Sequence, residues 1–169
     1  MSSILKVSEI QDPTNGNSAL TIDSSGRVLT PARPAFMAAA TGNSNYLSVS
    51  SGSPFPANTA YKNVGGHYST STYKFTAPVE GFYLFTWSSL TNNTGSGSRP
   101  CLFVNNSSNH PSGFRPIAGN DTGAQAGGTT SYSVICHLRV NDTAFMSSDN
   151  GSLYYYGGDH NHFSGILMG

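Results

Sequence analysis

The stretch Tyr73–Trp87, YKFTAPVEGFYLFTW, constrains the fold of this chain more than any other. Tyr73, Phe75 and Ala77 alternate with Lys74 and Thr76, the two-residue period of a strand with one wet face. Pro78-Val79-Glu80-Gly81 then reads as a turn. The run Phe82-Tyr83-Leu84-Phe85-Thr86-Trp87 carries large side chains at almost every position, which predicts a strand covered on both faces. Each large apolar side chain contributes about 1.5–3 kcal/mol when buried, so this run is the expected centre of a core.

Similar runs recur along the rest of the chain. They are Thr59–Val64, Cys101–Val104, Phe114–Ile117, Tyr132–Val140, Thr143–Ser147, Leu153–Tyr156 and Phe163–Met168. Turn-rich linkers separate them, chiefly Asn92–Ser98, Asn105–Gly113 and Gly119–Thr130. Short strands at this spacing predict an all-β sandwich. In Tyr132–Val140, Val134, Cys136, Leu138 and Val140 share one face, while Ile135, His137 and Arg139 share the other. Apolar residues nowhere recur at helical spacing across a full window. Only 9% of residues are charged, but nine Phe, nine Tyr and one Trp favour a packed β protein over disorder.

Residues 1–33 differ in character. Ile4, Leu5, Val7 and Ile10 form a short apolar segment, and Asp12-Pro13-Thr14-Asn15-Gly16 is a strong turn. Leu20 and Ile22 lie in a second short strand, closed by Asp23-Ser24-Ser25-Gly26 before Val28-Leu29. So few aliphatics cannot offset the conformational entropy of ordering the segment. Residues 1–33 are therefore expected to be an anchoring arm that a partner holds, ahead of a sandwich over 34–169.

Chemistry is sparsely signalled. His160 and His162 are two apart, so in an extended segment both imidazoles point the same way. Two readings stand: solvated histidines in a polar turn, or metal ligands completed by symmetry-related copies at a threefold axis. No other cofactor is implied. Tyr154-Tyr155-Tyr156 suits either a core and subunit interface or a sugar-binding surface. Asp121, Asp142, Asp149 and Asp159 lie in expected loops, outside any calcium-loop frame. His67, His110 and His137 lack clustered partners, and the N-x-S/T sequons include those at Asn92, Asn105, Asn106, Asn120 and Asn141.

Cys101 and Cys136 are read as reduced, buried thiols, with a disulfide, or a metal or catalytic role, as the alternatives. The segment MSSILKVSEIQDP lacks the basic-then-apolar build of a secretory leader, and no apolar run approaches membrane-spanning length. G-x-S-x-G, H-E-x-x-H, P-loop and G-x-G-x-x-G motifs are all missing, so an enzyme is not expected. Eight basic and eight acidic residues cancel, which removes any long-range attraction to nucleic acid or anionic membrane.

Two resemblances sharpen this reading. NVGGHYSTSTYKFTAPVEGFYLFTW, with Pro34-Ala35-Phe36-Met37-Ala38 before it and Phe163-Ser164-Gly165-Ile166-Leu167-Met168 at the end, resembles the complement C1q/TNF-like globular head. That resemblance implies a ten-stranded jelly-roll sandwich, trimeric about a threefold axis, that binds or scaffolds without catalysis. It places Phe36, Tyr73, Phe75, Phe82, Tyr83, Phe85, Trp87, Tyr154, Tyr156, Phe163 and Leu167 in the core or the trimer interface. LKVSEIQDPTNGNSALTIDSSGRV is similar to N-terminal segments of tailed-phage virion proteins. No Gly-X-Y stalk accompanies the head.

Together these features imply a phage virion structural protein, assembled in the host cytoplasm. It would be a homotrimer tied by its arm to capsid or tail proteins, with capsid decoration (cement) as the leading role. The alternatives are a tail-fibre tip or receptor-binding protein recognising host surface glycan, and a free lectin-like binding module.

Overall fold

Gly81–Asn92 folds as one 12-residue strand that organises the larger part of the molecule. The computed structural model describes residues 6–42, 45–92, 100–105, 126–149, 151–158 and 160–168. The chain divides into two compact units, Met1–Arg33 and Pro34–Gly169.

In chain order the first unit holds β1 (Glu9–Gln11), β2 (Ser18–Ile22) and β3 (Val28–Leu29). The second holds β4 (Ala35–Ala39), β5 (Tyr46–Val49), β6 (Thr59–Val64), β7 (Tyr68–Ser69), β8 (Lys74–Thr76) and β9 (Gly81–Asn92). It continues through β10 (Pro100–Val104), β11 (Ala126–Leu138), β12 (Thr143–Ser148), β13 (Leu153–Tyr156) and β14 (Asn161–Leu167). Every ladder is antiparallel.

The large sheet is built outward from β9. On one side β9 pairs with β11, from Ala126↔Asn92 to Leu138↔Gly81. On the other it pairs first with β14, Leu167↔Tyr83 through Asn161↔Ser89, and then with β13 at Tyr155↔Thr91. β13 and β14 are thus one strand track broken at 157–160. β4 and β5 continue the next track in the same way, and β6 pairs with β4 beyond it. These two breaks help explain why the described residues of this unit show eleven strands, one more than the resemblance implied.

Asn161 bridges the break in the β13–β14 track. Its buried amide oxygen accepts from the Ala40 N–H at 2.8 Å, and its amide nitrogen donates to the Tyr156 and Gly158 carbonyls at 2.9 and 3.0 Å. The side chain satisfies backbone groups at the turn, alongside the backbone bonds from Leu90 N–H to the His160 carbonyl and from Gly157 N–H to the Asn45 carbonyl.

A smaller sheet, ordered β10-β12-β8-β7, completes the sandwich. The core contains Phe36, Tyr68, Phe75, Tyr83, Phe85, Trp87, Leu102, Leu138, Met146, Leu153, Tyr155 and Phe163. Phe36 stacks on Tyr68 at 4.6 Å and on Phe75 at 5.3 Å, and meets Phe163 edge-on at 5.0 Å. Phe55, in a coil segment, caps this core against Trp87 and Tyr155. Cys101, Phe103 and Phe145 form a separate buried cluster, with the Lys74 ammonium 4.7 Å from the Phe145 ring centre. Neither Cys101 nor Cys136 is in a disulfide, and the two are buried in different clusters.

Several expectations need correction. β9 is not covered on both faces within one chain. Tyr83, Phe85 and Trp87 point into the core, while Phe82 is 55% exposed and Leu84 and Thr86 are half-buried. Tyr73 is not in the strand with Phe75. Its φ of 60° places it in a turn, with its N–H donating to the Ser69 carbonyl. β11 begins at Ala126, inside an expected linker, because the end of β9 gives Gly128–Thr130 a pairing partner. It ends at Leu138, so Val140 lies in the following turn, 53% exposed, not on the core face. The run Phe114–Ile117, most of the expected linkers, and His110, Asp121 and Asp159 lie outside the described residues.

The first unit is a meander in which β2 pairs with both β1 and β3. Turn chemistry shapes it. Asp12 accepts from the backbone of Thr14 and Asn15 and from the Thr14 hydroxyl. Asp23 accepts from the backbone N–H groups of Ser25 and Arg27 and from the Arg27 guanidinium at 2.6 Å. These bonds hold both carboxyls below the usual carboxylate range: the Thr14 hydroxyl and backbone lead at Asp12, and the Arg27 backbone and side chain at Asp23.

Candidate interaction faces

The pairing register lays out the solvent side of the large sheet row by row. Ile135, Leu84 and Ile166 are direct neighbours across β11, β9 and β14. Phe82 and His137 form the adjoining row, with rings 5.3 Å apart, and the Met168 N–H donates to the Phe82 carbonyl. Ile135 is 52% exposed, and Met37, Ile166 and Met168 stand nearly as open. A shallow groove of about 270 Å³ runs between Met37, Leu84, Ser164 and Ile166, with Lys62 at its rim. Single exposed apolar residues are ordinary, but a contiguous row across several strands marks an interaction surface.

The next rows are hydroxylic. Thr86 and Ser164 share a hydrogen bond of 2.6 Å, and the Ser131 hydroxyl donates to that of Ser88 at 2.9 Å. Beyond them lies an aromatic pole. Tyr156 is paired with Tyr46, and Tyr154 with Ser48. Tyr46 and Tyr156 meet edge-on at 5.2 Å, and the Tyr156 ring lies 5.4 Å from His160. Tyr46 and Tyr154 are 38% and 40% exposed. From Leu84 to Thr91, where β13 joins β9, seven residues of strand separate the aliphatic pole from the aromatic one, about 24 Å.

His160 is exposed at the turn and His162 is half-buried on β14. Among the described residues, no group of three or more His, Cys, Asp or Glu side chains could hold a metal ion. Among the described residues of one copy, the histidine pair therefore has no third ligand beside it. Glu80 lies 3.3 Å from His137, an exposed contact beside the aliphatic row.

A C1q-domain family model matches residues 35–168. The chain belongs to the C1q-domain family. Domains of this family are non-enzymatic binding modules, typically trimeric. The second unit superposes on the globular domain of zebrafish complement 1qA with a TM-score of 0.61 at 14% identity, covering 81% of this chain and 98% of that one. It matches an Eiger TNF from S. frugiperda (TM-score 0.57, 10% identity, 81% and 93% covered). It also matches murine APRIL (TM-score 0.56, 9% identity, 80% and 99% covered). At such identities the likeness shows a shared fold, the jelly roll of C1q and TNF heads. Comparison with curated protein sequences returns no match.

Within the C1q-like unit, Phe36, Phe75, Tyr83, Phe85, Trp87 and Phe163 are buried and Leu167 packs partly against them. Phe82, Tyr154 and Tyr156 lie on the solvent side of the large sheet, and Tyr73 sits half-buried in its turn. In the arm, Ile4 and Leu5 lie outside the described residues. Ile10, Leu20, Ile22 and Val28 share one face of the meander through the pairs Ile10↔Leu20 and Ile22↔Val28. With Val7 they line a depression of about 50 Å³. Sequence reasoning placed Ile135 on a face open to solvent or a neighbour, but missed Ile166 and Tyr46 as surface partners. Their exposure follows from register, which a single strand's composition does not carry.

Proposed function

We propose that this chain is a non-enzymatic structural protein of a tailed-phage particle, with capsid decoration as its role. Its C1q-like heads associate in threes through the aliphatic pole of the large sheet. The arm ties the trimer to another virion protein, and the subunits assemble in the host cytoplasm.

The observation that carries this reading is the arm's uncovered face. Ile10, Leu20, Ile22 and Val28 stand together, and no described residue of Met1–Arg33 is buried within the unit. A three-stranded meander in that state gains stability when another protein covers its apolar face. The phage setting rests on the resemblance of LKVSEIQDPTNGNSALTIDSSGRV to virion segments.

The test compares the full chain with a chain lacking residues 1–33, each added to particles that lack the protein. The full chain should co-sediment and give density over the shell; the truncated chain should stay in the supernatant while keeping its β-rich circular dichroism. Equal retention of both chains would remove the anchoring role. Density confined to the tail would replace decoration with a tail-fibre tip, a reading that the exposed Tyr46 and Tyr154 and the half-buried Tyr156 favour.

A further inference from the structure

We infer that the aromatic pole formed by Tyr46, Tyr154, Tyr156 and His160 is a binding site for a neutral saccharide. This goes beyond the structural role above and does not depend on where in a particle the protein sits.

Three observations carry it. The first is chemical. Tyrosine offers an apolar ring to the C–H face of a pyranose and a hydroxyl to its oxygens. Ser48, paired with Tyr154 on the same face, and the exposed His160 add polar groups beside the rings. The second is charge. Tyr46–Val49, Leu153–Tyr156 and His160–Asn161 contain no Lys, Arg, Asp or Glu. These described segments thus bring no fixed charge of their own to attract a phosphate, a sialylated chain or a charged peptide, and none of the cations that accompany base-stacking platforms for nucleic acid.

The third is rigidity. On the reverse of the same strand pair, Leu153 and Tyr155 are buried, and Tyr155 packs against Phe55 with ring centres 4.7 Å apart. The Asn161 amide fixes the turn that carries His160. The ring contacts at 5.2 and 5.4 Å hold the aromatic rings beside one another without a ligand. A site already ordered loses little entropy on binding.

The test is an array of neutral oligosaccharides ending in glucose, galactose, mannose or N-acetylglucosamine, probed with the full chain and followed by NMR titration with the best binder. At least one neutral glycan should be retained. Tyr156→Ala should weaken it by about tenfold, whereas Tyr156→Phe, which keeps the ring, should stay within about threefold. Should Tyr156→Ala fail to fold, Tyr154→Ala takes its place. Ile166→Glu, which disrupts the aliphatic pole, should leave the affinity per chain unchanged, so loss of association and loss of sugar binding read out separately. Retention of anionic glycans alone, no retention at all, or equal binding by the alanine variants would overturn the assignment.

Discussion

Gly165 shows how one residue is fixed by what lies over it. A Cβ there would come within 2.7 Å of Phe36 Cε1 and of two Phe85 ring atoms. Gly165→Ala should therefore destabilise the head by about 1–3 kcal/mol, the usual cost of overpacking, measured by urea denaturation. The Phe-Ser-Gly-Ile-Leu run is visible in the sequence, but the reason for its glycine is not, since Phe36 and Phe85 are distant in the chain. Tyr73 misleads in the opposite direction: its place in an alternating pattern predicts a strand, and a local turn bond to Ser69 wins.

The buried phenols and thiol supply a pH prediction at the same scale. Burial raises Tyr68 and Tyr132 well above the ordinary 10.0, raises Tyr155 to about 12, and pushes Cys136 from 9.0 up to about 12. The unfolded chain loses these protons first. Their contribution to stability is therefore complete below about pH 9 and falls as pH rises toward 12. Phenolate absorbance should show these tyrosines ionising together with alkaline unfolding. Free titration of all nine tyrosines in the folded protein near their ordinary value would contradict the burial pattern.

Among the elements, the strands most legible in the sequence are those with aromatic or β-branched alternation, such as β6, β12 and β13. β11 was only half legible. Its N-terminal Ala126–Thr130 reads as a loop because of its glycines, and β9 supplies the partner that makes it a strand. The density of large residues in β9 predicts a strand covered on both faces, but one chain covers only the side of Tyr83, Phe85 and Trp87. In the proposed assembly, copies of the protein cover the other side, at the row Ile135, Leu84 and Ile166. A carboxylate there would have to be desolvated within the interface. Ile166→Glu should weaken association by about 100-fold or more while the circular dichroism stays native. Unchanged association would place the interface elsewhere.

At the scale of the whole molecule, two units each lack something. The C1q-like head has a full core but leaves an aliphatic row open on its large sheet. The arm has well-formed turns and an apolar face with no cover of its own. In the proposed assembly, association in threes would cover the head's open row and present three arms together, and three weak contacts held in one assembly bind far more tightly than one. The hydroxylic rows between the poles keep the tyrosine surface separate, so self-association and recognition can occupy one sheet.

Sedimentation equilibrium of the full chain tests this most directly. Three copies of a 17.8 kDa chain should sediment as one species of about 53 kDa across a wide concentration range. A species of 17.8 kDa that persists at high concentration, with the aliphatic row left open to water, would contradict it.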